Sequence, residues 1–236
     1  MNTGQGFAVE PAVLRILLLA AALGLVAALP ARAADPIQDL IDKFKPVICS
    51  NQTYGLCAGA SGFVFNDIAH ARCDVKHGRS ISSPFPYDDG KDICSLNAEG
   101  AGNGYMASTF SLPDSVRAPR GTQAVYVCPR TSRAAYAKCD GAVCFTSTSG
   151  HSFPGSDTPL AQDEIICSCP IEKATARQGL EIIGPYPCQK DFFSVCDSAV
   201  ATGANGSTLY DGTSIGSTFV GATILDGRIP HLNICR

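Results

Sequence analysis

The chain of 236 residues contains no tryptophan, only two methionines and only four histidines. With the aromatic material confined to eleven phenylalanines and seven tyrosines, the supply of large side chains for a single broad core is thin. Four histidines, at positions 70, 77, 151 and 231, leave little for imidazole acid–base chemistry or metal ligation. Charge of one sign is nowhere concentrated. The 18 basic residues face 21 acidic ones with no block of either, and without a basic stripe the chain offers no footprint for nucleic acid. Beyond the N-terminus no apolar run approaches the ~20 residues that span a bilayer.

What is present begins with an address. Arg15 precedes an apolar run from Ile16 to Leu29, and Ala31, Arg32 and Ala33 close it with the small-x-small pattern accepted by a signal peptidase. Residues 1–33 read as a removed signal peptide, and the mature chain is expected from Ala34. The run is short for a membrane span. No cysteine stands at the cleavage point for lipid attachment, the nearest being Cys49. Loss of Arg15, Arg32 and Glu10 takes the basic residues from 18 to 16 and the acidic ones from 21 to 20. The expected product is secreted or periplasmic, with no membrane span after cleavage.

All twelve cysteines fall in the mature part: Cys49, Cys57, Cys73, Cys94, Cys128, Cys139, Cys144, Cys167, Cys169, Cys188, Cys196 and Cys235. An even number in an exported chain reads as disulfides, whose full connectivity spacing alone leaves open. Two small units with thin cores need such staples more than one large core does. The chain does repeat itself. Tyr54, Cys57, Gly59, Ala60 and Phe63 recur at equal spacing as Tyr136, Cys139, Gly141, Ala142 and Phe145. Gly78, Ile81, Pro84, Phe85 and Pro86 recur as Gly179, Ile182, Pro185, Tyr186 and Pro187, and Cys94, Asn103 and Gly104 as Cys196, Asn205 and Gly206. The expected organisation is an N-terminal helix and lead-in over 34–48, a first Cys-rich repeat over 49–127, and a second over 128–236. The fold class is mostly β, a small α+β arrangement of antiparallel strands with one short helix per repeat.

Asn66 and Asp67 tolerate positive φ and suit a two-residue turn joining Gly62–Phe65 to Ile68–Val75. In that register Gly62 faces Ala71 at a non-hydrogen-bonded site, where Cα atoms approach to about 4.5 Å. The second copy carries Cys144 and Cys167 at these two positions, so alignment and register both predict a Cys144–Cys167 bridge. From Cys57 to Cys73 is 16 residues and from Cys139 to Cys169 is 30, so the second hairpin carries fourteen more, near 146–164. This insert is a candidate binding loop, with His151, Phe153 and Asp157 as contacts.

Elsewhere Pro36–Phe44 is expected as a helix begun by Asp35 and Pro36, with Ile37, Leu40, Ile41 and Phe44 on one stripe, stopped by Pro46. Short helices are expected over Asp92–Ala98 and Asp191–Val200, and β-leaning stretches over Tyr105–Leu112 and Ser217–Leu225. His70, Cys73 and His77 have a metal-like spacing, but strand alternation sends 70 and 73 to opposite faces and Cys73 aligns with a bridged position, so no metal is expected. Asp88, Asp89, Gly90, Lys91 and Asp92 lack the ligand spacing of a calcium loop and read as a turn and helix cap. Gly150–Pro154 misses the second glycine of a nucleophile elbow. Cys167, Cys169 and Pro170 lie in a strand-like run rather than at a helix start, which reads as structural bridging. The functional expectation is an exported binding or interaction protein, inhibitor-like in one version, with an unidentified protein or surface ligand as partner and no cofactor. The alternative is a small secreted hydrolase using His70, His77 or His151 as proton carriers.

Overall fold

The computed structural model describes residues 35–85, 87, 90–113, 124–145, 158–184, 188, 190–197 and 201–235. The expected signal peptide, Pro86, Asp88, Asp89, Pro185 to Pro187, and His151, Phe153 and Asp157 lie outside the described residues. Pro36–Arg236 groups into one compact unit by contact density.

Helix α1, Pro36–Phe44, starts with proline at its first position, where a missing N–H costs nothing. It leaves the helical path at Lys45, φ 46°, one residue before Pro46. Of its stripe Ile37, Leu40 and Ile41 are half-buried and Phe44 is exposed, and the helix rests against the C-terminal helix α3, Ser217–Asp226. Strand β1, Val47–Leu56, leads through a turn at Cys57–Ala60 into β2, Ser61–Phe65, and β3, Ile68–Ser82. Asn66 and Asp67 form the connecting turn with φ 50° and 61°, and Gly62 pairs with Ala71. Helix α2, Ile93–Gly100, is capped by Asp92, whose carboxylate accepts the Ser95 N–H at 2.8 Å. Then come β4, Tyr105–Ala107, and β5, Ala124–Val127.

The second half uses the same pairing scheme. Strand β6, Ala135–Ala137, a turn at Cys139–Ala142, β7, Val143–Phe145, and β8, Glu164–Lys173, follow in that order. Strand β8 pairs β6 and β7 as β3 pairs β1 and β2, and β3 and β8 lie antiparallel to each other with Ala71 opposite Cys167. Strand β9, Glu181–Gly184, a 3-10 helix, Lys190–Cys196, and strands β10, Thr208–Tyr210, β11, Gly212–Thr213, and β12, Ile234–Cys235, complete the described elements. The larger sheet runs β10-β2-β3-β8-β7-β4, with β1 and β6 joined to β3 and β8; the smaller runs β11-β9-β5-β12. The fold is mostly β with antiparallel sheets and short helices, as composition and turn chemistry indicate.

The core is built from small residues. Ala69, Ala71, Ala137, Cys144, Cys167 and Cys169 are all fully buried between the strands. Six disulfides join Cys49–Cys94, Cys57–Cys73, Cys128–Cys196, Cys139–Cys169, Cys144–Cys167 and Cys188–Cys235. Cys144 and Cys167 face each other across β7 and β8 with Cα atoms 3.9 Å apart. Phe192 closes the other end of the core, 4.1 Å from the ring of Tyr126 and 5.3 Å from that of Tyr210.

The β-leaning reading of Ser217–Leu225 is wrong, for this segment is helix α3. Its start, Gly216 at φ 93°, has no side chain with which to cap, and Glu181 of β9 supplies the acceptor instead, taking the N–H groups of Gly216 at 2.8 Å and Thr218 at 2.6 Å. A cap delivered from 35 residues away leaves no local signature. Tyr105–Leu112 forms strand only over Tyr105–Ala107, followed by isolated bridges at Ser108 and Phe110. The second short helix is a 3-10 turn ending at Cys196.

Candidate functional site

The two cysteine turns, the end of β3 and the start of α3 enclose a cleft of about 520 Å³. Ile81, Phe110, Ile183, Val220 and Phe44 give it apolar walls, and its polar groups come from both halves of the chain. Such a concave, largely apolar space with a few convergent polar groups is the usual form of a ligand site.

Asp140 enters the cleft from the turn Cys139–Ala142, where Gly141 takes φ 81° and a side chain in its place would strike the Phe85 ring at 2.6 Å. Its carboxylate accepts the Ser82 hydroxyl at 2.7 Å and the Ser83 N–H at 3.0 Å. Burial pushes its pKa up against the opposing pull of those two donors. Asp211 follows β10 and is half-buried. Its carboxylate accepts the Cys139 N–H at 3.2 Å, and its own N–H donates to Ala60 of the other cysteine turn at 3.0 Å. Burial, with the nearby Asp140 charge adding, pushes Asp211 up to about 8.

Glu172 behaves in the opposite way. Lys138 pairs with it at 2.8 Å and the Tyr136 hydroxyl donates to it at 2.8 Å, and the Lys138 hydrogen bond foremost holds its carboxyl below the ordinary range. Burial, reinforced by Glu172, raises the Tyr136 phenol. Glu181 also lines the cleft. Burial raises it, although its two backbone donors at the α3 terminus pull it back. Thr109 stands on the cleft wall, 2% exposed, with its Oγ1 buried and without a hydrogen-bond partner.

Of these polar side chains the sequence pattern picks out Tyr136 alone, as a repeat position. Asp140 carries a usable signal: it stands in its cysteine turn where Ala58 stands in the other, so one of two similar turns carries a charge. Asp211 has no local motif. The residues that spacing singled out lie elsewhere. His77 hydrogen-bonds Thr53 at 3.2 Å and Asn51 at 3.1 Å, His70 is half-buried opposite Ser168, and His231 is exposed. Cys73, the centre of the metal-like spacing, is bonded to Cys57, and Cys167 and Cys169 have two different partners. Of the inserted loop, the described end at 158–164 is held by Arg72. Its guanidinium donates to Thr158 Oγ1 at 2.8 Å, to the Pro159 carbonyl at 3.1 Å and to Glu164 at 2.8 Å.

Among the described residues no helix is long and apolar enough to cross a membrane. Comparison of the chain with protein-family models, curated proteins and solved structures finds no match.

Proposed function

We propose that the chain is an exported, disulfide-crosslinked recognition protein acting in the periplasm or outside the cell, and that its ligand site is the cleft between the cysteine turns and α3. Six disulfides with no free cysteine among the described residues support an oxidising compartment. The pairing of β1 and β2 with β3, and of β6 and β7 with β8, supports a history of two copies of one unit, 49–127 and 128–236, each contributing one wall of the cleft. The observation that carries the reading is Asp140: a half-buried carboxyl at the position of Ala58, lining an apolar-walled space between the two cysteine turns. A rigid, covalently braced site loses little freedom when a ligand enters, which favours binding. The inhibitor version, with the loop near 146–164 as the inserted element and His151, Phe153 and Asp157 as contacts, is a second surface of the same protein.

A small-molecule fragment library followed by backbone amide shifts tests the reading. Hits are expected to move Ser108, Gly212 and Thr213 and to be lost in Ser83→Trp, which fills the cleft from an exposed lining residue. Shifts confined to loop residues 146–157, with the cleft silent, would transfer the function to the loop.

The hydrolase alternative has one observation in its favour, and it concerns carboxyls rather than histidines. Glu172 is held ionised while Asp211 is held protonated near neutrality, which is how an acid and a base divide their roles in one site. Turnover of any exported polymer lost in both Asp211→Asn and Glu172→Gln would favour it.

A further inference from the structure

The cleft has a shortage of positive charge. Asp140, Asp211, Glu172 and Glu181 line it, and Lys138, already paired with Glu172, is the one Lys or Arg among its lining residues. Glu181 spends both oxygens on the start of α3. The hydrogen bonds of Asp140 and Asp211 come from neutral donors: Ser82, Ser83 and the N–H groups of Cys139 and Gly212. Two half-buried carboxyls that feel each other's charge, with the one lysine acting on Asp140 already paired to Glu172, hold a proton or await a positive partner. Thr109 adds a buried hydroxyl on the same wall with no partner in the structure.

A bare metal ion does not suit this geometry. Among the described residues, the only triads of His, Cys, Asp or Glu whose ligand atoms lie within 4.8 Å of one another are bridged cysteines, so the carboxyls do not converge on a single ion. The walls of Ile81, Phe110 and Val220 suit an apolar body attached to the charge. Resting on the proposal that the cleft binds a ligand, we infer that this ligand is an organic cation, an ammonium group on an apolar body, with Asp140 and Asp211 as its counter-charges and Thr109 as an added polar contact.

Entry of the cation displaces the proton held by the carboxyl pair. The groups facing that pair are Tyr136 from β6 and Lys138 just after it, with Tyr87 beside Asp140, while Glu172 from β8 and Glu181 from β9 line the same cleft. Binding therefore strengthens as pH rises, towards a slope of about one decade per pH unit below the pKa of the pair, and levels off above it.

Benzyltrimethylammonium, charged at every pH, is the probe for isothermal titration and amide shifts on the full mature chain, with benzyl alcohol and calcium chloride alone as controls. The cation is expected to bind at least about tenfold more tightly than benzyl alcohol, to do so more tightly at pH 8 than at pH 6, and to lose both advantages in Asp140→Asn/Asp211→Asn. The amides retain the shape, and an unchanged disulfide map confirms the fold of the variant. Equal binding of the cation and benzyl alcohol at the cleft overturns the charge assignment and leaves the cleft as a ligand site. Binding of calcium alone makes it a metal site and also overturns the inference. Silence of the cleft towards both organic probes, with the fragment library silent there too, removes the underlying reading.

Discussion

The Asp211 carboxylate accepts the backbone N–H of Cys139 at 3.2 Å, so a half-buried acid of the cleft wall is tied to the first residue of a disulfide turn. Through its own N–H to Ala60 it holds the other cysteine turn as well. The carboxylate holds one cysteine turn and the backbone the other, so the first of these links alone responds to pH.

That link has a sign. An unfolded aspartate titrates near roughly 3.9, and Asp211 folded titrates at about 8. Between these values the folded chain keeps a proton that the unfolded chain has lost, so the contribution of Asp211 to stability is complete below the lower value and is lost as pH rises through the upper. Melting temperature measured from pH 4.5 to 9 is expected to fall more steeply for the wild type than for Asp211→Asn, whose curve lacks this proton. Parallel curves would show that Asp211 stays ionised in the folded chain.

Gly55 lies under the Cys144–Cys167 bridge: a β-carbon there would sit 3.0 Å from one sulfur and 3.2 Å from the other. Gly55→Ala is expected to cost about 1–3 kcal/mol by overpacking. Paired with Cys144→Gly/Cys167→Ala, which gives this hairpin the residues found at Gly62 and Ala71, the penalty should largely vanish. Removing the bridge alone costs about 2–4 kcal/mol. Additive losses in urea unfolding would mean that the sulfurs are not what Gly55 avoids.

Helix α3 depends on a cap from another element. Glu181→Gln keeps the shape but removes the charge and one of the two acceptors, and a loss of about 1 kcal/mol is expected, in the range of an ordinary cap deletion. Amide exchange should speed up first at Gly216 and Thr218. Uniform acceleration along Ser217–Asp226 would indicate that packing against α1, rather than the cap, holds the helix.

Arg72 grips the returning end of the inserted loop through Thr158, Pro159 and Glu164, and Glu164 is held below the ordinary carboxylate range chiefly by that hydrogen bond. Arg72→Ala is expected to expose residues 158–163 to limited proteolysis while leaving the disulfide map unchanged. Arg72→Lys should not rescue the protection, since an ammonium cannot reproduce the planar fork. Resistance to protease in both variants would locate the loop's anchor elsewhere.

What the residues disclose by themselves follows from how local the cause is. The hairpin at Asn66–Asp67 needs only two positive φ angles, and its register follows from turn length and residue type. The α2 cap at Asp92 and the proline start of α1 are equally local. Helix α3 escapes because its N-terminus is completed by Glu181, far away in the chain, while its β-branched run at Thr218–Ile224 favours a strand when read alone. The cleft escapes for the same reason. Asp211 acquires its meaning from Cys139 and Ala60, and no window of sequence contains all three. Asp140 alone was within reach, as the residue that differs from Ala58 inside an otherwise matched turn. The histidines, conspicuous because they are few, turn out to be scattered.

The buried sulfurs of Cys57, Cys139 and Cys169 lie within 4.8 Å of one another, as do those of Cys57, Cys73 and Cys167. Three bridges thus share one crowded junction. A thiolate created at Cys57, Cys73, Cys139, Cys167 or Cys169 has a foreign sulfur within that range, so partial reduction here would yield a family of covalent isomers trading partners in place, a route opposed by the burial of all five sulfurs away from water and reductant.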